Sequence, residues 1–149
     1  MTPALLLAIN AAAAWYLTGL IWVVQVVHYP LFSYADRTSY AAFAEAHGRL
    51  ITLVVGPAMV VELVTSVWLL IDRPAALPAS WAWLGAGLVA AIWISTAVVQ
   101  VPLHTELARG YDASAHTSLV LSNWARTIAW TVRSVLLLVV MVRMLQAAN

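Results

Sequence analysis

"PALLLAINAAAAWYLTGLIWVVQVV", residues 3–27, decides the fold. It is one apolar run without an acidic or basic side chain. A helix needs about 20 such residues to cross a bilayer. A signal-peptide core is shorter, about 7–15 residues, and follows a basic segment that is missing here. We therefore read the run as a retained membrane span. Membrane strands alternate apolar and polar residues, and this run does not, so a helix is predicted.

Three more runs qualify, at about residues 50–71, 80–101 and 127–142. With their flanks, the predicted helices cover about 4–28, 38–71, 80–103 and 117–145 of a single domain, residues 1–149. Composition agrees: 64% of the 149 residues are hydrophobic and 9% are charged. A soluble domain has about half apolar and about a quarter charged residues. The net charge of +1 offers nucleic acid no basic surface. All the basic side chains are Arg, which excludes a Schiff-base lysine. The chain has no Cys, which excludes disulfides, thiolate metal sites and iron–sulfur clusters.

The joints fit this layout. In "HYPLFSYADRTSY", residues 28–40, Pro30 is expected to end the first helix, and Thr38 or Ser39 to cap the second. The second helix then runs past the bilayer surface through "AAFAEAHGRL", and Pro57 is expected to kink it. "DRPAALPAS", residues 72–80, is a Pro-rich turn with Ser80 as its cap. "HTELARGYDASAHT", residues 104–117, joins the third and fourth helices. Trp15, Trp81 and Trp83 stand where interface anchors are found. The expected fold is an all-α membrane protein: an antiparallel bundle of four transmembrane helices with both termini on one side. Arg37, Arg49, Arg109 and Arg126 lie on or near one face, against Arg73, Arg143 and the terminal amine on the other. The positive-inside rule leans the first face towards the cytoplasm.

Polar residues within the spans can be placed by depth, at about 1.5 Å per residue from the face carrying the termini. Gln25, Gln100 and Asn123 fall at about 30 Å on three different helices. His28, His47 and His104 fall at about 36–38 Å, with His116 a little further out and Arg126 about one turn deeper than Asn123. A polar stripe in a membrane helix faces the bundle interior, so a chamber is expected near one membrane face. Glu62 and Arg133 both fall at about 15 Å on adjacent antiparallel helices. Each charge alone is expensive there, so the two are expected to pair.

His28, His47 and His104 are candidate ligands for Cu, Fe or Zn, with His116 a poorer fourth. Two of them holding a heme is the alternative, as is acid–base work without any cofactor. Gln25 and Gln100 suit either ligand orientation or interhelical hydrogen bonds. Trp22, Trp93, Trp124 and Trp130 are candidate walls of an aromatic pocket, or packing residues. Glu62–Arg133 suits a structural pair, a proton relay or the substrate-binding floor of a cavity. "VVQVVHYP", residues 23–30, and "VVQVPLHT", residues 98–105, repeat the same pattern on helices running in the same direction. They are expected to set Gln25–His28 and Gln100–His104 facing each other across the chamber.

"VPLHTELARGYDASAHTSLVLSNWARTIAWTVR", residues 101–133, resembles the third-to-fourth-helix signature of the anthrone oxygenase-like family of small four-helix membrane proteins. That signature has Pro-Leu-Asn, then Leu, a polar loop, and Trp-x-x-x-Asn-x-x-Arg-Thr. Here it maps onto Pro102, Leu103, Leu107, Asn123, Arg126 and Thr127. "GLIWVVQVVHYPLF", "FAEAHGRL" and "GPAMVVELV" look like a bacterial branch, which implies an inner (cytoplasmic) membrane. Two departures stand out. His104 replaces the Asn, and Trp124 follows Asn123 instead of a Trp preceding it. The resemblance implies oxidation of a polycyclic aromatic or quinol-like molecule by oxygen. His28, His47 and His104 would then act as metal ligands or acid/base groups, with Asn123 and Arg126 at a developing oxyanion. The alternative class is a non-catalytic membrane module: an accessory subunit or small-molecule carrier, alone, as a homo-oligomer or with a partner subunit.

Overall fold

The computed structural model describes residues 1–147. Four long helices account for nearly all of them: α1 (Pro3–Tyr34), α2 (Tyr40–Ile71), α3 (Ala79–Leu107) and α4 (Ala113–Ala147). Each is long and apolar enough to cross a membrane. They form an antiparallel ring in which α1 packs on α2 and α4, and α3 packs on the same two. Helices α1 and α3 therefore stand diagonally opposite.

The surface is inverted relative to a soluble bundle. Outward positions carry apolar side chains such as Val26, Leu53, Val64, Val98, Leu121 and Leu138, all exposed. Asn10, Gln25, Glu62, Gln100, Asn123, Arg126 and Arg133 are buried. Such an exterior is stable against acyl chains and not against water. The chain is thus an integral membrane four-helix bundle. Two apolar clusters fill it. One lies among Leu6, Leu7, Leu69, Leu137 and Val140, near the ends of the chain. The other gathers Leu17, Ile21, Phe32, Tyr40, Met59, Ile92, Leu119 and Trp130.

Local chemistry departs from expectation at three joints. Pro30 does not end α1, which continues through Tyr29–Leu31 and a tighter final turn at Phe32–Tyr34. The start of α2 is held by Asp36, and Ser39 makes no side-chain cap. The Asp36 Oδ1 accepts from the Thr38 N–H and hydroxyl, both at 2.6 Å, and from the Ser39 N–H at 3.3 Å. Helix α3 begins at Ala79 behind Pro78, with no side-chain cap from Ser80. Helix α2 stays continuous through Pro57.

Both halves of the sequence repeat contain a π turn, at Val24–His28 in α1 and Thr96–Gln100 in α3. A proline stands two residues beyond each turn, Pro30 and Pro102. Proline lacks an N–H and its ring clashes with the carbonyl four residues back. Widening the helix accommodates this: the Tyr29 N–H reaches Val24 O, and the Val101 N–H reaches Thr96 O, each five residues back. The two prolines are offset by three positions between the repeats, and the π turns are offset likewise.

Candidate functional site

The amides act first as clasps on α4. From α1, the Gln25 amide nitrogen donates to Val120 O at 3.1 Å, and its oxygen accepts from Asn123 Nδ2 at 2.8 Å. From α3, Gln100 Nε2 donates to Ser122 Oγ at 3.0 Å. The three amides expected at one level therefore do meet one stretch of α4, but their bonds hold helices together. Gln100 Oε1 is buried without a partner.

Above them lies a layer of imidazoles. His28 Nε2 and His47 Nδ1 are 2.9 Å apart, and the His47 and His104 rings lie 5.2 Å apart between centroids. His104 Nε2 bonds the Tyr29 hydroxyl at 2.9 Å. His116 Nε2 donates to the Tyr29 carbonyl at 2.8 Å. All four histidines thus gather around Tyr29 and Phe32. The facing pair across the bundle is not His28 with His104. Aligning the two Val-Val-Gln-Val repeats makes Tyr29 the equivalent of His104, four residues after each amide, and these two side chains meet. Both Gln25 and Tyr29 are buried, whereas His28 sits to one side of α1, half-buried and turned to His47 of α2.

Arg126 lies beneath Tyr29, and both line one small internal cavity of about 30 Å³ with Ile21, Val24, Ile51, Val55 and Trp130. That is room for a water or two, or for a small polar head. Arg126 is 6% exposed. Its Nη1 donates to Asn123 Oδ1 at 3.2 Å, and its guanidinium carbon lies 5.1 Å from the Trp130 ring centroid. Its Nε is buried with no partner. Two lateral grooves reach the imidazole layer. One, about 350 Å³, runs between α1 and α2 past His28, Phe43, His47 and Val54. The other, about 340 Å³, runs between α2 and α3 past Gly48, Thr52, Val101 and His104.

Glu62 and Arg133 pair at 2.9 Å, and both are almost fully buried. The other Glu62 oxygen accepts from Trp130 Nε1 at 3.0 Å. Arg133 Nη2 also donates to Asn10 Oδ1 and Ser66 Oγ, each at 2.6 Å. Asn10 in turn donates to Thr65 Oγ1 at 2.7 Å. Charge and neighbouring polar groups meet both members of the pair, as a structural cluster in a membrane interior requires.

The tryptophans divide. Trp130 is buried and lines the cavity. Trp22 and Trp124 are exposed on the outside of α1 and α4, where they meet edge to face at 5.7 Å. They do not wall the chamber, because the Trp22 indole turns along the surface to Thr131 Oγ1. Trp93 is half-buried, with its Nε1 enclosed and unpartnered.

Metal ligation fares poorly in this arrangement. Among the described residues, no three metal-ligating side chains converge. His28 and His47 turn a nitrogen to each other, and His104 turns one to Tyr29. The His28/His47/His104 set therefore does not fit a three-coordinate metal as it stands. Among the described residues, His47 Nε2 is the one imidazole nitrogen left enclosed without a partner.

Sequence reasoning missed Tyr29 and Asn10. The signal for Tyr29 was its place four residues after Gln25, matching His104 after Gln100. For Asn10 it was a lone amide inside the first apolar run. No protein-family model matches the chain, and no curated protein or solved structure matches it.

Proposed function

We propose that the chain is a membrane oxidoreductase of the oxygenase kind. Its substrate in this reading is a lipophilic aromatic or quinone-like molecule carrying an acidic O–H or activated C–H. The observation that carries the proposal is the Tyr29–His104 couple at 2.9 Å, set beside the partnerless Nε of Arg126 in a membrane-embedded cavity.

The substrate enters from lipid through the grooves flanking α2. Its proton passes to the Tyr29 oxygen as the Tyr29 proton passes to His104 Nε2. This leaves an imidazolium and a substrate anion. Arg126 donates to the anionic oxygen, and Asn123 holds Arg126 in place. Dioxygen is the oxidant: a methylene and one dioxygen give a carbonyl and one water. Burial strengthens each of these interactions because the surroundings screen them weakly. His28 and His47, hydrogen-bonded at the mouth of one groove, relay the proton outward.

A second reading, a non-catalytic carrier or accessory subunit, draws support from Gln25 and Gln100, whose bonds to α4 are those of structural amides.

Oxygen uptake with anthrone as substrate, on protein in lipid nanodiscs, tests the proposal. Uptake should exceed that of empty discs and fall by about 10²–10⁴ in Tyr29→Phe and His104→Ala. Uptake equal to empty discs, or a co-purifying partner chain and no turnover, favours the carrier.

A further inference from the structure

The Arg126 guanidinium is a cation about 25 Å in from the face carrying the termini. It is 6% exposed, and among the described residues no carboxylate meets it. Glu62 is the nearest acid in the network, but its oxygens are taken by Arg133 at 2.9 Å and Trp130 at 3.0 Å. The Trp130 indole stands between, one edge on Glu62 and its face towards Arg126. What Arg126 does have is neutral: the Asn123 oxygen at 3.2 Å, the neighbouring Tyr29 phenol and the indole face. A cation enclosed among helices without a counter-charge is costly, and Arg133, two helical turns away, shows how the same chain treats a cation that is paired within the protein. The Arg126 Nε is buried without a partner, and the residue lines the small cavity bounded by α1, α2 and Trp130.

We infer that Arg126 is the receptor for the ionised oxygen of a lipophilic acid, a carboxylate or phenolate, bound with its head in the cavity. The cavity of about 30 Å³ admits an anionic head and excludes a ring system. The apolar body therefore lies between α1 and α2, against Leu20, Ile51 and Val55. A single charged head on a greasy body is what this shape selects. The inference rests on the proposed function for its site and narrows the substrate to molecules held there as their conjugate bases once the proton has left.

Native mass spectrometry in mild detergent tests it, with 2-naphthoic acid, methyl 2-naphthoate and phosphatidylglycerol as probes. The acid should be retained at one per chain and the ester should not. Retention of the acid should fall by about tenfold or more in Arg126→Gln and by less in Arg126→Lys. Equal retention of acid and ester by the wild-type protein overturns the inference, even if Arg126→Gln fails to fold. So does unchanged retention in a folded Arg126→Gln. Displacement of the acid by phosphatidylglycerol assigns Arg126 to a headgroup phosphate and overturns the lipophilic-acid assignment. The wild-type protein separates the two ideas: the acid retained but anthrone oxidation no faster than in empty discs counts against the oxygenase and leaves this inference standing.

Discussion

The Tyr29 hydroxyl and His104 Nε2 stand 2.9 Å apart, although 75 residues separate them in the chain. They occupy the same place in two copies of one short pattern, on helices diagonally opposite in the bundle. Replacing Tyr29 by Phe removes one hydrogen bond and no volume of consequence, worth about 1 kcal/mol. Tyr29→Phe should therefore fold and unfold almost as the wild type by circular dichroism. A large loss of thermal stability would instead make the couple structural.

Glu62 and Arg133 carry the opposite expectation. Removing one member of a buried pair leaves an uncompensated charge and costs about 3–5 kcal/mol. Glu62→Gln and Arg133→Met should each lower the thermal midpoint strongly in detergent. The double variant should lose clearly less than the sum of the two.

Gly85 sits against that pair. A Cβ built there would lie 2.6 Å from Arg133 Nη1. Gly85→Ala must therefore displace the guanidinium from Glu62, Asn10 and Ser66, at a cost of about 1–3 kcal/mol. Gly19→Ala and Gly87→Ala, where nothing lies within 4 Å, should be nearly silent in the same unfolding assay.

Asp36 should make the start of α2 sensitive to acid. The hydrogen bonds from the Thr38 hydroxyl, the Thr38 N–H and the Ser39 N–H hold its carboxyl below the usual carboxylate range. Its support of the turn is therefore complete above the ordinary carboxylate pKa and is lost as pH falls through the lowered value. Hydrogen exchange of residues 37–43 should quicken over that acid window beyond its intrinsic pH dependence. In Asp36→Asn the window should disappear.

Much of this was legible in the sequence. Four apolar runs of bilayer length leave little choice of fold, and a constant rise per residue sets Glu62 level with Arg133 and Gln25 level with Asn123. What escaped is local. A three- or four-residue step from Gln25 lands on either His28 or Tyr29, and the π turn ahead of Pro30 decides for Tyr29. The partners of Asn10 lie 52–56 residues away on α2 and 123 away on α4, so nothing near it in sequence hints at the cluster. For Trp22 and Trp124 the sequence left a pocket wall and an outer placement both open, because an indole suits either, and the structure puts them outside.

In the proposed reaction the chamber takes a proton from a lipophilic acid and keeps the anion beside Arg126. The most direct measurement is the absorption spectrum of 4-nitro-1-naphthol added to the protein in phosphatidylcholine nanodiscs, at a bulk pH below the pKa of the free naphthol. A naphtholate band should rise to one per chain and be absent from empty discs and from Arg126→Gln. A spectrum of neutral naphthol alone with the wild-type protein would contradict it.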